Sequence, residues 1–279
     1  MQITINNNNF YVKQKGNGPT LLLLHGFTGS VATWLPFIPS FAEQSQVVAV
    51  DLLGHGQSAT PAEPSRYRME CCVSDLLSLL DQLNLAQIDV LGYSMGGRVA
   101  LQLAAVAPLR VRSLMLESTS PGLDSAAARE ARIVADNALA DQIESEGLAA
   151  FVEYWEQLPL FASQRLLPDD VRAKQRQQRL QNNPQGLANS LRGMGTGQQP
   201  SLWDKLDQMT TPTLLTVGAL DTKFCGIASE MATHLPNVRV VTVPDAGHTI
   251  HLEQPATFIK TVQEFLQEFH KTKETLYLD

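Results

Sequence analysis

The chain is poor in cysteine and in charged side chains, and it has no long apolar run. Cys71, Cys72 and Cys225 are odd in number, and the adjacent pair lacks the spacing of metal ligands. This pattern excludes a disulfide or zinc framework and indicates free thiols in a reducing compartment. No run reaches membrane-spanning length, and residues 1–15 lack the basic and apolar regions of a signal peptide. We therefore expect a cytoplasmic protein without stable membrane insertion.

An excess of positive charge is also missing. The formal net charge is −7 at pH 7, and the isoelectric point of the sequence is about 5.4. Such a balance disfavours nucleic acid or an anionic membrane as the main partner, so an anionic substrate would need a local basic cluster. The hydrophobic content of 44% is enough for a large core, and it predicts one core with an insertion rather than two domains.

Short apolar runs alternate with helical patterns over most of the chain. An Asn-rich turn between residues 2–5 and 10–13 first predicts an antiparallel hairpin. The alternation that follows predicts an α/β fold with a mostly parallel central sheet, helices on both faces and ligands beyond the carboxyl ends of the strands. The predicted strands cover residues 21–24, 47–50, 88–91, 111–116, 213–217 and 238–243, and residues 34–42 fit a helix.

The strand pattern stops between Pro121 and about Pro200. Amphipathic helical patterns replace it there, interrupted by glycine and proline. We therefore expect residues 1–120 to form the first part of the core, residues 121–200 an inserted helical cap, and residues 201–279 the second part of the core.

The segment Gly92-Tyr93-Ser94-Met95-Gly96 has the G-x-S-x-G pattern of a nucleophile elbow. It lies where the strand predicted at 88–91 gives way to a helical pattern. A serine at such a turn is exposed above the sheet, and glycines leave room for the turn. The Met95 N–H would lie at the positive end of the following helix.

Two further residues complete a catalytic pattern with Ser94. Asp221 and His248 each follow a predicted strand, so all three side chains are expected at one edge of the sheet. Serine needs an imidazole to take its proton, and the imidazole needs a carboxylate to orient it. We therefore predict His248 as the base and Asp221 as its orienting acid, with the backbone N–H groups of Phe27 and Met95 as the oxyanion hole.

Other histidines and acids compete for these roles. His251 is a rival of His248, and Asp245 is a weaker candidate than Asp221 because it lies only three residues before His248. His25 and His55 follow the first two buried strands. We interpret them as residues that shape loops through hydrogen bonds to the backbone.

Arginines predict the charge of the substrate. Arg98 lies one helical turn after Ser94, so it is expected to share a face with it. Guanidinium groups suit carboxylates, which points to a polyanionic substrate under the cap, although a solvated helix face is the alternative explanation. Within residues 164–192, two acids, Asp169 and Asp170, stand against six basic residues: Arg165, Arg172, Lys174, Arg176, Arg179 and Arg192.

Several motifs together resemble a known family. The chain is similar to α/β-hydrolase-fold proteins, and more narrowly to the 2-succinyl-6-hydroxy-2,4-cyclohexadiene-1-carboxylate (SHCHC) synthases of menaquinone and phylloquinone biosynthesis. The motifs cover core and cap: Gly92-Tyr93-Ser94-Met95-Gly96-Gly97-Arg98, Ser120-Pro121-Gly122-Leu123 with Arg129 and Arg132, Trp155 through Pro159 to Phe161-Ala162-Ser163, Asp221-Thr222-Lys223-Phe224, and Ala246-Gly247-His248 with His251 and Glu253.

The resemblance implies an α/β-hydrolase fold and a lyase that eliminates pyruvate from 2-succinyl-5-enolpyruvyl-6-hydroxy-3-cyclohexene-1-carboxylate. The triad would abstract a proton, and no cofactor or metal would be needed. The partner is then a small polycarboxylate substrate. By motif position, the substrate-binding residues are Tyr93, Arg98, Arg132, Trp155 and Arg179, with Arg176 as the alternative to Arg179.

Two other functions use the same residues. A serine hydrolase of an ester or a carbon–carbon bond would need the same triad, since one fold with this constellation supports many reactions. A non-catalytic receptor would keep the fold and the pocket but not the chemistry. The intact triad and the two glycine loops argue against the receptor. The sequence leaves the oligomeric state open.

Overall fold

A computed structural model describes the backbone of residues 1–276 and the side chains of residues 1–268. One eight-stranded sheet runs through it in the order β1-β2-β4-β3-β5-β6-β7-β8. The hairpin strands β1 and β2 are antiparallel to each other and β2 is antiparallel to β4, whereas β4, β3 and β5 to β8 are mutually parallel. The strands are β1 (Gln2–Ile5), β2 (Asn8–Lys15), β3 (Thr20–Leu24), β4 (Gln46–Val50), β5 (Ile88–Tyr93), β6 (Val111–Glu117), β7 (Thr213–Gly218) and β8 (Val238–Val243).

Helices cover both faces of this sheet. In β3, Leu22 and Leu24 belong to an apolar cluster with α3, α4 and α9, while Leu21 and Leu23 belong to a cluster with α1, α2, α10 and α11. This alternation follows from the period of two in a strand buried on both sides. The helices are α1 (Val31–Trp34), α2 (Ile38–Phe41), α3 (Met69–Gln82), α4 (Met95–Val106), α5 (Ala126–Glu146), α6 (Leu148–Glu156), α7 (Asp169–Leu180), α8 (Pro184–Met194), α9 (Thr222–His234), α10 (Ile250–Glu253) and α11 (Pro255–Leu276).

The connection between β6 and β7 carries four of these helices, α5 to α8. Residues of α5, α6 and α8 form an apolar cluster of their own that includes Ile143, Phe151 and Leu187. A separate small core of this kind lets helices lie over the sheet edge without joining the main core. We propose that residues 121–200 form the cap, with residues 1–120 and 201–279 as the two parts of the core.

The predicted α/β fold class is confirmed by this architecture, and one detail differs. The pattern at 34–42 predicts a single helix, whereas the structure has the two short helices α1 and α2. Pro36 lies between them and has no N–H to donate to a helix. No helix within residues 1–276 is long and apolar enough to cross a membrane.

The order of the strands indicates where a ligand would bind. Strand β3 lies between β4 and β5. The connection after β3 therefore leads to one side of it, and the connection after β4 leads to the other side. Open α/β sheets bind ligands beyond the carboxyl ends of the strands at such a switch point. The loops after β3 and β5 meet there, and they carry Phe27 and Ser94.

Candidate active site

Ser94 occupies the sharp turn between β5 and α4. Its backbone has φ 49° and ψ −106°, a left-handed conformation that is costly for a residue other than glycine. The turn is held from both sides, because the Ser94 N–H donates to the Glu117 carbonyl at 2.8 Å and the Thr119 hydroxyl donates to the Ser94 carbonyl at 2.6 Å. A side chain at Gly92 or Gly96 would collide with neighbouring backbone, which explains the two glycines of the motif.

Ser94, His248 and Asp221 come together at the carboxyl edge of the sheet. Nε2 of His248 lies 3.0 Å from the Ser94 hydroxyl oxygen, and Nδ1 lies 2.7 Å from the Asp221 carboxylate. Asp221 also caps α9 by accepting a hydrogen bond from the Phe224 N–H at 3.3 Å. This geometry lets the imidazole take the serine proton while the carboxylate fixes its orientation.

The backbone around His248 is held by Glu253. The Glu253 carboxylate accepts hydrogen bonds from the N–H of Gly247 at 2.7 Å and from the N–H of Thr249 at 3.1 Å. These two residues flank His248. One side chain of α10 therefore holds the backbone of this loop on both sides of the base.

The rival residues lie elsewhere. Nδ1 of His251 lies 2.8 Å from the carboxylate of Glu117, and both side chains are buried. Asp245 is exposed, and it takes a left-handed φ of 54° in the turn after β8. The hydrogen bonds of the triad therefore involve His248 and Asp221 rather than His251 and Asp245.

Phe27 and Met95, whose backbone N–H groups are predicted to form an oxyanion hole, both line the cavity that contains Ser94. Met95 is the first residue of α4, so its N–H belongs to the first turn of a helix and has no acceptor within it. Phe27 lies in the loop after β3. The positive end of α4 favours an oxyanion at this point.

His25 and His55 shape the loops that surround this space. Nε2 of His25 accepts a hydrogen bond from the Leu52 N–H at 3.0 Å, and its Nδ1 lies 2.8 Å from the Gly26 carbonyl. Nδ1 of His55 lies 3.1 Å from the Leu53 carbonyl. Burial lowers the pKa of His25 to about 4 and that of His55 to about 3, so both are neutral at pH 7.

The catalytic cavity has a volume of about 690 Å³ and opens between core and cap. Arg98 lines it, and its Nη1 donates to the Met194 carbonyl at 2.8 Å and to the Gln199 side-chain oxygen at 3.1 Å. Burial lowers the pKa of Arg98 to about 10, which leaves it charged at neutral pH. Arg132 lines the same cavity and pairs with Asp136 at 2.8 Å. Two arginines therefore share one cavity with Ser94.

A second cavity of about 520 Å³ shares four aromatic residues with the catalytic cavity. These four residues, which we call the aromatic wall, are Phe27, Tyr93, Trp155 and Phe161. Arg179 lines the second cavity and not the first. Its guanidinium lies 5.3 Å from the centre of the Phe161 ring.

Arg176 and Arg179 share the carboxylate of Glu156, at 2.6 and 3.0 Å. They differ in exposure, because the side chain of Arg179 is 6% exposed and that of Arg176 is 42% exposed. Of these two arginines, Arg179 lines one of the two cavities and Arg176 lines neither.

The remaining basic residues of 164–192 are mostly paired with acids. Arg172 pairs with Asp169 and Lys174 with Asp170 on α7. Arg192 pairs with Asp141 and Glu144 of α5. Acidic partners thus compensate most of the local positive charge that the sequence predicts. Of the basic residues in 164–192, Lys174 and Arg179 line the second cavity.

Gln199 and Gln164 belong to none of the motifs in the sequence. Both side chains are almost fully buried, and they contact residues about a hundred positions away in the chain. No local spacing signals such a contact. Among the residues that the structure describes, no group of three or more His, Cys, Asp or Glu side chains is placed to hold a metal ion.

Comparison with known proteins places this chain in a family. Residues 19–255 match the alpha/beta hydrolase fold family. A Bacillus subtilis protein, provisionally named as SHCHC synthase, is 49% identical over 88% of this chain and 89% of its own length. The SHCHC synthase of Photorhabdus laumondii is 34% identical over 94% of this chain and 92% of its own. The chain belongs to the SHCHC synthase family.

Solved structures agree with this SHCHC synthase assignment. The structure of MenH from S. aureus has a TM-score of 0.89 at 36% identity, covering 94% of this chain and 98% of its own. A malate-bound esterase from Thermogutta terrifontis has a TM-score of 0.85 at 29% identity, covering 97% and 98%. The chain thus shares its architecture with an esterase as well, and the fold by itself does not separate elimination from hydrolysis.

Proposed function

We propose that this chain eliminates pyruvate from 2-succinyl-5-enolpyruvyl-6-hydroxy-3-cyclohexene-1-carboxylate to give SHCHC, in menaquinone or phylloquinone biosynthesis. One observation carries the proposal: Ser94, hydrogen-bonded to His248, lies in the same cavity as Arg98 and Arg132. The substrate bears three carboxylates, and guanidinium groups bind carboxylates through paired hydrogen bonds. We assign substrate contacts to Tyr93 and Trp155 as well, which line both cavities.

The reaction begins at the carbon next to the succinyl ketone. His248 holds the serine proton, so that the Ser94 oxygen removes a proton from this carbon and an enolate forms. The N–H groups of Phe27 and Met95 stabilise the enolate oxygen, an effect worth about 3 kcal/mol per donor in such sites. Arg98 and Arg132 hold the carboxylates while this charge develops.

The enolate then collapses. Its electrons form the ring double bond, the carbon–oxygen bond to the enolpyruvyl group breaks, and the leaving enolpyruvate takes up a proton and is released as pyruvate. In this scheme Ser94 keeps the proton taken from the substrate, His248 gives the proton it held to the leaving enolpyruvate, and Asp221 orients His248 throughout. Arg179 would bind a carboxylate that reaches past the aromatic wall into the second cavity. We place the reaction in the cytoplasm, in keeping with the free thiols of Cys71, Cys72 and Cys225.

Pyruvate release tests the proposal directly. The purified chain and the enolpyruvyl substrate are assayed with lactate dehydrogenase, and we expect release well above the uncatalysed rate. Ser94→Ala is expected to lose nearly all of it. Ser78→Ala is the matched control, because Ser78 lies on α3 outside both cavities. No release by the unaltered chain, or full activity of Ser94→Ala, would contradict the proposal.

The second candidate is a serine hydrolase of an ester or a carbon–carbon bond. The observation that favours it is the likeness to the Thermogutta terrifontis esterase. A panel of simple esters separates the two functions, since rapid ester turnover without pyruvate release supports the hydrolase. A third outcome, tight ligand binding with no turnover of either class, would support a receptor.

A further inference from the structure

The catalytic serine and the catalytic histidine each have a hydroxyl-bearing neighbour in the chain. Tyr93 precedes Ser94, and Thr249 follows His248. Their two hydroxyl oxygens lie 2.8 Å apart. One hydrogen bond therefore joins the strand that ends in the nucleophile to the loop that carries the base.

The Thr249 hydroxyl has a second partner, and it comes from the cap. Nε2 of Gln164 donates to the Thr249 hydroxyl at 2.8 Å. Gln164 is 6% exposed and Thr249 is 1% exposed, so water does not compete for this bond. A hydroxyl has one donor and two acceptor positions, and both contacts can exist together.

The other end of the Gln164 amide faces Arg179. Its oxygen accepts a hydrogen bond from Nη2 of Arg179 at 3.4 Å. Arg179 lines the second cavity, and its Nη1 is held by Glu156 at 3.0 Å. A continuous chain of hydrogen bonds thus runs from Arg179 through Gln164 and Thr249 to Tyr93.

We propose that Gln164 is a positioning residue that ties the cap to the catalytic loop. Through its two hydrogen bonds it couples the position of Arg179 to the backbone that bears His248. The amide does not line the catalytic cavity, so it acts through Thr249 rather than on the substrate. The amide is suited to this task because its two ends differ. The nitrogen donates to Thr249, and the oxygen accepts from Arg179.

The consequence for Ser94 does not require the elimination reaction. A fluorophosphonate forms a covalent bond with the serine oxygen as fluoride leaves, and this attack requires His248 to take the serine proton. The rate of labelling therefore measures how well His248 is positioned. The link to Arg179 as a substrate-binding residue rests on the proposed function, whereas the labelling rate does not.

The experiment is a double-mutant cycle on the Gln164–Thr249 bond. We expect Gln164→Leu and Thr249→Val each to lower the labelling rate of Ser94 by at least about tenfold, because both remove the Gln164–Thr249 hydrogen bond. Thr249→Val also removes the hydrogen bond to Tyr93, so the double variant is expected to be no slower than Thr249→Val alone. Thr249→Ser, which keeps the hydroxyl, should label at nearly the original rate.

Two controls separate positioning from general damage. Gln157→Leu changes an exposed glutamine of the same cap region and should leave the rate unchanged. Gln164→Glu keeps an acceptor for Arg179 but loses the donor to Thr249, so it should label as slowly as Gln164→Leu. Thermal unfolding of every variant shows that the measured species is folded, and Thr249→Val, which keeps its shape, carries the test if Gln164→Leu does not fold.

The outcomes distinguish this inference from the proposed function. In a pyruvate assay, Gln164→Leu should lower kcat more than it raises KM. Labelling by Gln164→Leu at the original rate, or a double variant as slow as the product of the single effects, would overturn the inference while leaving pyruvate release intact. Absence of pyruvate release with the expected labelling pattern would instead remove the proposed function and keep the positioning role.

Discussion

The carboxylate of Glu117 lies 2.8 Å from Nδ1 of His251 and accepts a hydrogen bond from the His251 backbone N–H at 3.0 Å. Glu117 has no exposed surface, and its own carbonyl accepts the hydrogen bond from the Ser94 N–H. A buried acid and its histidine partner thus lie directly beneath the nucleophile. Removing one member of such a pair leaves the other buried without compensation.

His251→Phe should therefore destabilise the fold by about 1 to 3 kcal/mol, because it removes the side-chain hydrogen-bond partner of the buried Glu117. Phenylalanine suits the aromatic surroundings of His251, which include Trp34 and Phe258, so that loss of the pair rather than loss of packing dominates. Urea unfolding measures the change. The double variant with Glu117→Leu should be less destabilised than His251→Phe alone. His234→Phe, which removes an exposed contact with Asp207, is the control and should cost at most about 1 kcal/mol.

Arg98 should control substrate affinity. Arg98→Met removes the buried cation that faces the catalytic cavity, so we expect kcat/KM for pyruvate release to fall by about 10- to 100-fold. Most of the loss should be in KM, because the carboxylate is bound before and during the reaction. Arg172→Met is the control, since Arg172 pairs with Asp169 on the surface of α7. Equal kinetics for these two variants would exclude Arg98 from substrate binding.

Acid should destabilise the fold through the two buried histidines. The pKa of His55 is about 3 in the folded chain and 6.5 unfolded, and that of His25 is about 4 against 6.5. Between these values the unfolded chain binds more protons than the folded chain. The contribution of the two histidines to stability is therefore complete above pH 6.5, and it is lost as the pH falls towards their folded pKa values of about 4 and 3. At about pH 5 each histidine contributes about 2 kcal/mol to this loss.

The contribution of His55 is isolated by difference. We expect the drop in unfolding free energy from about pH 7 to about pH 5 to be about 2 kcal/mol smaller in His55→Phe than in the unaltered chain. The comparison cancels opposing titrations such as that of Asp51, whose pKa is raised by burial. Denaturant unfolding at the two pH values gives both numbers. An identical drop in the two proteins would contradict the buried neutral state of His55.

The main features of the site were predictable because they depend on topology. Ser94, Asp221 and His248 each follow a strand, and the carboxyl ends of parallel strands meet at one edge. The chain order then brings the three together whatever the details of the helices. The placement of Arg98 near Ser94 was predictable for a similar reason, since a residue four positions after Ser94 lies one turn further along the helix.

The cap was less predictable, because its contacts are not set by a repeating pattern. Gln164 bonds to Thr249, 85 residues further along the chain. Glu156 pairs with both Arg176 and Arg179 from another helix, and only Arg179 lines one of the two cavities. Periodicity identifies a helix and its polar face, but it does not give the partner of a particular arginine.

Glu253 should support catalysis by holding the backbone on either side of His248. Glu253→Ala removes the acceptor of the Gly247 and Thr249 N–H groups, and we expect it to lower kcat by about tenfold with a smaller effect on KM. Glu253→Gln keeps one side-chain oxygen, so its kcat should lie between that of Glu253→Ala and that of the unaltered chain. Glu264→Ala, which affects only a surface contact with Lys260 on α11, is the matched control. If Glu253→Ala kept the original kcat while its melting temperature fell, Glu253 would support the fold alone and not the position of the base.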